Sequence, residues 1–308
     1  MNKMKYLVKH PLGEFVIDEN GNLLKDKSDS ISDEKGNEIF RKNFRKIMRQ
    51  LGYSDEKLNS KLTEIGIQLA KQRIKQSVKK DKLIIQAIAA LDEIDKSLNI
   101  YIERIREWYG LHCPELEHEI KNHEKFVKLI LEYGKKENIK DKKLSETVKK
   151  SIGIDISEKD EKILQEYSSF INQLYRLKEH LEKYIDNLMK EISPNVRELA
   201  GPLLGAKLIL LTGGLEKLAR KPSSTIQLIG SEKALFRYLK GKGKSPKFGI
   251  IYQSPYIQNT PFDKKGKAAR LLASKLSIAA KIDYYRKEDR STELKKQLEQ
   301  EMKELGCK

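Results

Sequence analysis

The chain is poor in the residues that build disulfide scaffolds, metal centres and membrane spans. Its 308 residues include only 2 cysteines, 5 histidines and 1 tryptophan. Cys113 and Cys307 are too few for a disulfide framework and point to a reducing, cytoplasmic setting. No apolar run approaches the ~18 residues of a membrane-spanning helix; the strongest, residues 203–211, already contains Lys207. The opening tract MNKMKYLVKHPLGEF lacks the apolar core of a secretory signal, so neither a membrane nor a secreted protein is expected. Acidic residues are in deficit as well: 45 Asp and Glu face 62 Lys and Arg, a net charge of +17 that favours anionic partners.

Enzyme signatures are equally scarce. No G-x-G-x-x-G opens a βαβ unit, which leaves a dinucleotide or S-adenosylmethionine without a seat. Gly243-Lys244-Ser245 resembles the end of a phosphate-binding loop, but the glycine required five residues earlier is Tyr238, and Pro246 follows. His112, Cys113, His118 and His123 cluster without zinc-ligand spacing and are expected to pack or solvate. No nucleophile–base set can be assembled. The expectation is a chain that is not an enzyme and takes no cofactor or metal.

What the sequence does contain is unevenly placed charge. Between Arg197 and Arg290, 20 Lys and Arg stand against 7 Asp and Glu, in a stretch holding five of the 8 prolines and half of the 18 glycines. A basic, punctuated segment after a nearly neutral one is the electrostatic footprint of a nucleic-acid surface; the plain alternative is lysine solvating helices.

The pattern along the chain predicts three domains in a mostly α protein. Residues 1–80 read as a small α+β module: two short strands over 4–17, a turn at Asp18–Asn22, and amphipathic helices over 37–53 and 55–76. Residues 81–193 read as a long antiparallel coiled coil with a tip insertion. Ala87, Leu91, Ile94, Leu98, Tyr101, Ile105 and Trp108 alternate at four and three residues, a 3.5-residue period. Ile163, Tyr167, Phe170, Leu174, Leu177, Leu181, Tyr184 and Leu188 repeat it, behind a capping box at Ser157–Asp160. Residues 194–308 read as an all-α domain of short helices broken at Gly201-Pro202, Gly213-Gly214 and Lys221-Pro222. A longer helix over 265–283 and a charged tail helix prone to fraying close it.

Two basic faces stand out. After Gly230-Ser231, with Ser231 as expected N-cap, Lys233, Arg237 and Lys240 share one helix face, while Leu235, Phe236 and Leu239 are expected to anchor the helix to the core. Lys267, Arg270, Ser274 and Lys281 form the second, and the stiffened loop Lys244-Ser-Pro-Lys247 lies between them in sequence.

Residues 87–116, AIAALDEIDKSLNIYIERIREWYGLHCPEL, resemble the coiled-coil entry of the Nop-domain proteins. Residues 222–239, PSSTIQLIGSEKALFRYL, and 249–283, GIIYQSPYIQNTPFDKKGKAARLLASKLSIAAKID, are similar to the heart of the Nop domain, with Ser231 where the family usually has alanine. The likeness covers residues 81–290 and is to the archaeal scaffold of box C/D guide-RNA ribonucleoproteins. It implies an all-α C-terminal Nop domain binding guide RNA jointly with an L7Ae-type kink-turn protein. It also implies an N-terminal module docking the fibrillarin methyltransferase, which brings its own methyl donor, and a coiled coil pairing two copies into a homodimer. Carried over residue by residue, Glu232, Lys233, Arg237, Lys240, Lys247, Lys267 and Arg270 would meet RNA or its partner protein, and Leu91, Leu98, Ile105, Leu174 and Leu181 the second copy. The rivals are a splicing-factor-like scaffold with the same domain, an RNA-modifying enzyme, and a generic basic RNA-binding coiled-coil protein.

Overall fold

A computed structural model describes residues 4–25, 30–77 and 79–305; Cys307 lies outside them. The chain divides into two units, Met1–Lys79 and Lys80–Lys308.

In the first unit, β1 (Lys5–His10) and β2 (Gly13–Asp18) pair antiparallel, with His10 opposite Gly13. Pro11 and Leu12 make the hairpin turn. The Asp18–Asn22 turn, where the Asp18 carboxylate accepts the N–H groups of Asn20 and Asn22, leads instead to β3 (Leu23–Leu24). A fourth strand, β4 (Ser30–Ile31), adds parallel to β1, so the sheet order is β3-β2-β1-β4. Helix α1 (Glu34–Gln50) packs Phe40, Ile47 and Met48 with Tyr6, Val8 and Ile17 of the sheet. Helix α2 (Asp55–Ser77) adds Leu58.

The second unit is built on two long helices. α3 (Asp81–Gly110) has 30 residues, about 45 Å at 1.5 Å per residue, and α7 (Glu158–Ile192) has 35. They run antiparallel: Lys80 pairs with Glu191, Asp95 with Lys178 at 2.6 Å, and Tyr101 meets Phe170 edge-on at 5.3 Å. The Ser157–Asp160 capping box opens α7 as expected. Between them lie α4 (Pro114–Glu119), α5 (His123–Tyr133) and α6 (Lys142–Lys149). At the tip, Leu98, Ile102, Ile105 and Tyr109 of α3, Phe126 and Ile130 of α5, and Leu164 and Ile171 of α7 form one core.

Arg106, buried among them, donates to the carbonyls of Glu117 and Ile120 and to His123 Nδ1, and its guanidinium lies over Phe126. His112 is also consumed. Its Nε2 accepts the Lys136 N–H, which places the ring proton on Nδ1 facing the Ile154 carbonyl.

On α3, Ala87, Leu91, Leu98 and Ile105 are buried as the period requires. On α7, Leu188 of the expected seam is buried, but towards the tip the buried residues are Leu164, Ser168 and Ile171, one residue on from that seam, where α5 packs against α7. The expected seam residues Ile163, Phe170, Leu177 and Tyr184 stay 42–46% exposed.

After Pro194 come α8 (Pro194–Ala200), α9 (Pro202–Thr212), α10 (Leu215–Ala219), α11 (Ser223–Leu228), α12 (Glu232–Leu239), α13 (Pro255–Gln258), α14 (Lys265–Lys281) and α15 (Ser291–Glu304). A single π-helical turn, Ile282–Arg286, follows α14. The tail helix does not hang free: Leu294, Leu298 and Met302 are buried in the core.

That core ignores the expected boundary at residue 193. It contains Ile84, Ile88 and Leu91 of α3 and Ile185 and Met189 of α7 together with Leu208, Ile209, Leu272 and Leu276. Two buried carboxylates fasten the junction. Asp81 of α3 accepts the Leu215 N–H at 2.9 Å, capping α10 from a distant part of the chain. Asp283 does the same for α8, accepting from the N–H groups of Asn195 and Val196, the Asn195 amide and the Ser193 hydroxyl at 2.5–3.2 Å.

Beyond α11 the chain returns on itself, with Gly249 N–H donating to Gln227 O and Ile250 N–H to Ile229 O, both at 2.7 Å. A Cβ at 249 would overlap the Ile229 carbonyl oxygen, so this crossing requires glycine. Gly249→Ala is expected to cost about 1–3 kcal/mol, read as a lower Tm. An unchanged Tm would mean that the crossing contributes nothing.

Candidate nucleic-acid interface

The cations of the second unit fall into two populations. Several are neutralised by pairs between elements: Lys207 by Asp92 of α3 at 2.9 Å, Arg197 by Asp186 of α7 at 2.7 Å, Lys295 by Glu198 at 2.6 Å and Lys275 by Glu301 at 2.7 Å. The guanidinium hydrogen bonds of Arg197 hold the Asp186 carboxyl below its usual range. Between residues 221 and 270 the picture reverses. Eleven Lys and Arg face two acids there, Glu232 and Asp263, and none of the eleven has a carboxylate within 4.0 Å among the described residues. Clustered positive charge without internal compensation is a standing attraction for polyanions.

Helix α12 carries the first part. Its residues are all exposed or half-buried, and its end is a Schellman motif: Gly241 sits at φ +71°, its N–H donates to Tyr238 O, and the Lys242 N–H donates to Arg237 O. Only a residue at ease with positive φ fits there. The turn folds the next residues back along the helix, so Lys233, Arg237, Lys242 and Lys244 line one open recess. Lys242 is not among the residues expected from sequence, and Lys244 is expected only as the start of the basic loop; Gly241 is the local signal for the turn that places both. Lys240 caps the helix end and is exposed.

Two expectations about α12 need correcting. Ser231 is not a side-chain cap: its hydroxyl donates back to the Leu228 carbonyl at 2.6 Å, and Glu232 instead holds the Gly230 N–H at 2.8 Å. Nor do Phe236 and Leu239 anchor the helix. They are 62% and 68% exposed, with only Leu235 half-buried. Leu235 alone turns inward, so the apolar side formed by Phe236 and Leu239 is left uncovered.

Helix α14 carries the second part. Ala268, Ala269, Leu272, Ala273 and Leu276 are buried, while Lys267, Arg270, Ser274, Ile278 and Lys281 make an exposed stripe at helical spacing. Lys247 reaches this helix from the loop that follows α12. Its backbone carbonyl accepts from Gln227 Nε2 at 2.6 Å, and its stem passes the first turn of α14 at Gly266. Of the residues expected at a second copy, Leu91, Leu98 and Ile105 are 0–3% exposed inside the chain's own core, and Leu174 and Leu181 are half-buried.

Residues 90–304 match the Nop family, described as snoRNA binding domain, fibrillarin. A NOP5 family protein of Methanocaldococcus jannaschii is 42% identical over 262 residues, 80% of this chain and 63% of that protein. Nucleolar protein 56 of Saccharomyces cerevisiae is 37% identical over 259 residues, 77% of this chain and 51% of that protein. The chain thus spans between half and two thirds of these relatives. A chain from the crystal structure of a fibrillarin/Nop5p complex superposes with a TM-score of 0.51 at 25% identity, covering 92% of this chain and 97% of that one. With a match to the family's model across more than two thirds of its sequence, the chain belongs to the Nop snoRNA-binding-domain family.

Proposed function

We propose that this chain is a noncatalytic scaffold of a box C/D guide-RNA ribonucleoprotein that directs RNA 2′-O-methylation. The observation that carries it is the run of eleven cations between residues 221 and 270 that have no acidic partner among the described residues, with the exposed Phe236 and Leu239 in the same stretch. Lysines and arginines suit a phosphate backbone, whereas exposed apolar side chains suit a protein surface or a base face. Together they fit composite recognition, in which a kink-turn RNA and a small L7Ae-type protein present one joint surface. The first unit, with its four-stranded sheet and two helices, would dock fibrillarin, and that enzyme would hold the methyl donor. The solved fibrillarin/Nop5p complex, which this chain resembles along most of its length, supports the assignment. A gel-shift titration on kink-turn RNA, with and without the L7Ae-type protein, tests it. Tight binding only in the protein's presence is expected; equal binding to any RNA would leave a generic basic protein.

A second copy would sit on α7. Ile163, Phe170, Leu177 and Tyr184 recur every seven residues and stay exposed, which suits a coiled-coil partner, with Leu174 and Leu181 beside them. Phe170→Glu with Leu177→Glu is expected to convert a dimer to a monomer in sedimentation equilibrium. A dimer of native stability would place the contact elsewhere.

A further inference from the structure

On the RNA-binding role proposed above, we infer that Phe262 is a stacking platform for one unpaired nucleotide of the bound RNA, with Lys247 as the cation that holds the adjoining phosphate. Phe262 lies in the loop before α14 and is 80% exposed, an unusual state for a phenylalanine. It is not a stray apolar residue, because Lys247 Nζ stands over its ring, 5.6 Å from the centroid. Lys247 is itself fixed: the Gln227 amide holds its carbonyl, and its stem lies against the first turn of α14.

The neighbouring ring shows what an engaged aromatic looks like on this surface. Tyr252 is stacked on Phe248 at 4.8 Å and 9°, and Lys265 both lies over it at 5.0 Å and donates to its hydroxyl. Phe262 has the cation without a stacked ring, and Lys247 occupies one face and leaves the other open.

The charge around Phe262 selects the occupant. Lys247 stands over the ring, and Lys264, Lys265 and Lys267 follow Phe262 within five residues of the chain, against the single carboxylate of Asp263. A cationic rim suits a nucleotide, which brings a flat ring and a negative charge at fixed separation. Duplex RNA keeps its bases stacked inside, so only an unpaired nucleotide can reach this ring. Base stacking tolerates any sequence, and the contact would add affinity for single-stranded flanks without reading them.

The test uses the full chain with the L7Ae-type protein and kink-turn RNA carrying a short unpaired tract, compared with the same RNA made blunt. Phe262→Ala is expected to weaken binding to the tract-bearing RNA by about 5- to 150-fold, the range of one lost base–aromatic stack. It should leave the blunt RNA and the salt dependence unchanged. Phe262→Trp should bind as the native chain does, and the fluorescence of 2-aminopurine in the tract should change on binding the native protein and not on binding Phe262→Ala. Replacing the tract nucleotides by abasic ones should erase the difference between native and Phe262→Ala. Lys247→Ala should lower the salt slope by roughly one phosphate contact. Equal loss on blunt RNA, or no loss on either while Lys233 and Arg237 remain essential, overturns the platform and spares the interface. Failure of the native protein to bind either RNA overturns both.

Discussion

Reversing both charges of the α12 recess, Lys233→Glu with Arg237→Glu, is expected to weaken kink-turn RNA binding by about 10²- to 10⁴-fold. That corresponds to two charge-assisted contacts at roughly 1.5–3 kcal/mol each. The two side chains share the recess with Lys242 and Lys244, and none of the four has an acidic neighbour within 4.0 Å among the described residues. The loss therefore comes from the intermolecular contact and not from a broken internal pair. The slope of log K against log salt should fall by roughly 2 as two phosphate contacts disappear. Because α12 buries nothing, the variant should melt with the native protein. Native affinity with an unchanged slope would remove α12 from the interface.

The largest effect on stability is expected at Asp283. Its carboxylate receives four hydrogen bonds from Ser193, Asn195 and Val196, and Asn195 in turn is held by Glu288 O and the Arg290 N–H. Asp283→Ala leaves buried N–H groups at the start of α8 without partners, at a cost of roughly 2–5 kcal/mol. For a unit of this size that lowers Tm by about 4–20 °C. Asp283→Asn keeps the shape but turns an amide NH₂ towards donors, so it should rescue little; full rescue would show that shape alone matters. Burial pushes the Asp283 carboxyl above its ordinary value, against the pull of its donors. The folded state then binds the proton more tightly than the unfolded chain. The stabilisation from protonation grows as pH falls through the raised value and levels off below the ordinary one. The Tm gap between the native protein and Asp283→Asn should widen over that window.

Local rules carried the sequence analysis far. The 3.5-residue alternation located α3 and α7, Ser157 and Pro194 marked where α7 begins and α8 follows, and the Gly-Pro and Gly-Gly breaks separated the short helices. The exposed stripe of α14 follows from its pattern alone.

What stayed hidden was long-range. Periodicity reveals a seam but not its partner. Leu91, Leu98 and Ile105 fit a seam with a second copy equally well and lie inside the first, and where α5 packs on α7 the buried residues Leu164, Ser168 and Ile171 fall one residue on from the periodic line. A helical wheel divides α12 into two faces without saying which one faces outward, so it offers Phe236 and Leu239 as anchors although both are exposed. Asp81 and Asp283 cap helices 134 and 87 residues away along the chain, beyond any local motif. Strands of two residues, such as β3 and β4, are too short to alternate.

One helix enters two cores: Ile84, Ile88 and Leu91 of α3 belong to the globule that carries the basic face, and Ile102, Ile105 and Tyr109 belong to the tip. With no flexible joint between them, the tip cannot swivel while the basic face stays still. Within this unit the hairpin acts as a rigid gauge. Shortening or lengthening α3 and α7 together by two heptads would slide whatever the tip touches by about 21 Å relative to the basic face without disturbing either core. Helix length thus sets the distance between the tip and the basic face, and a partner spanning both would have to match it.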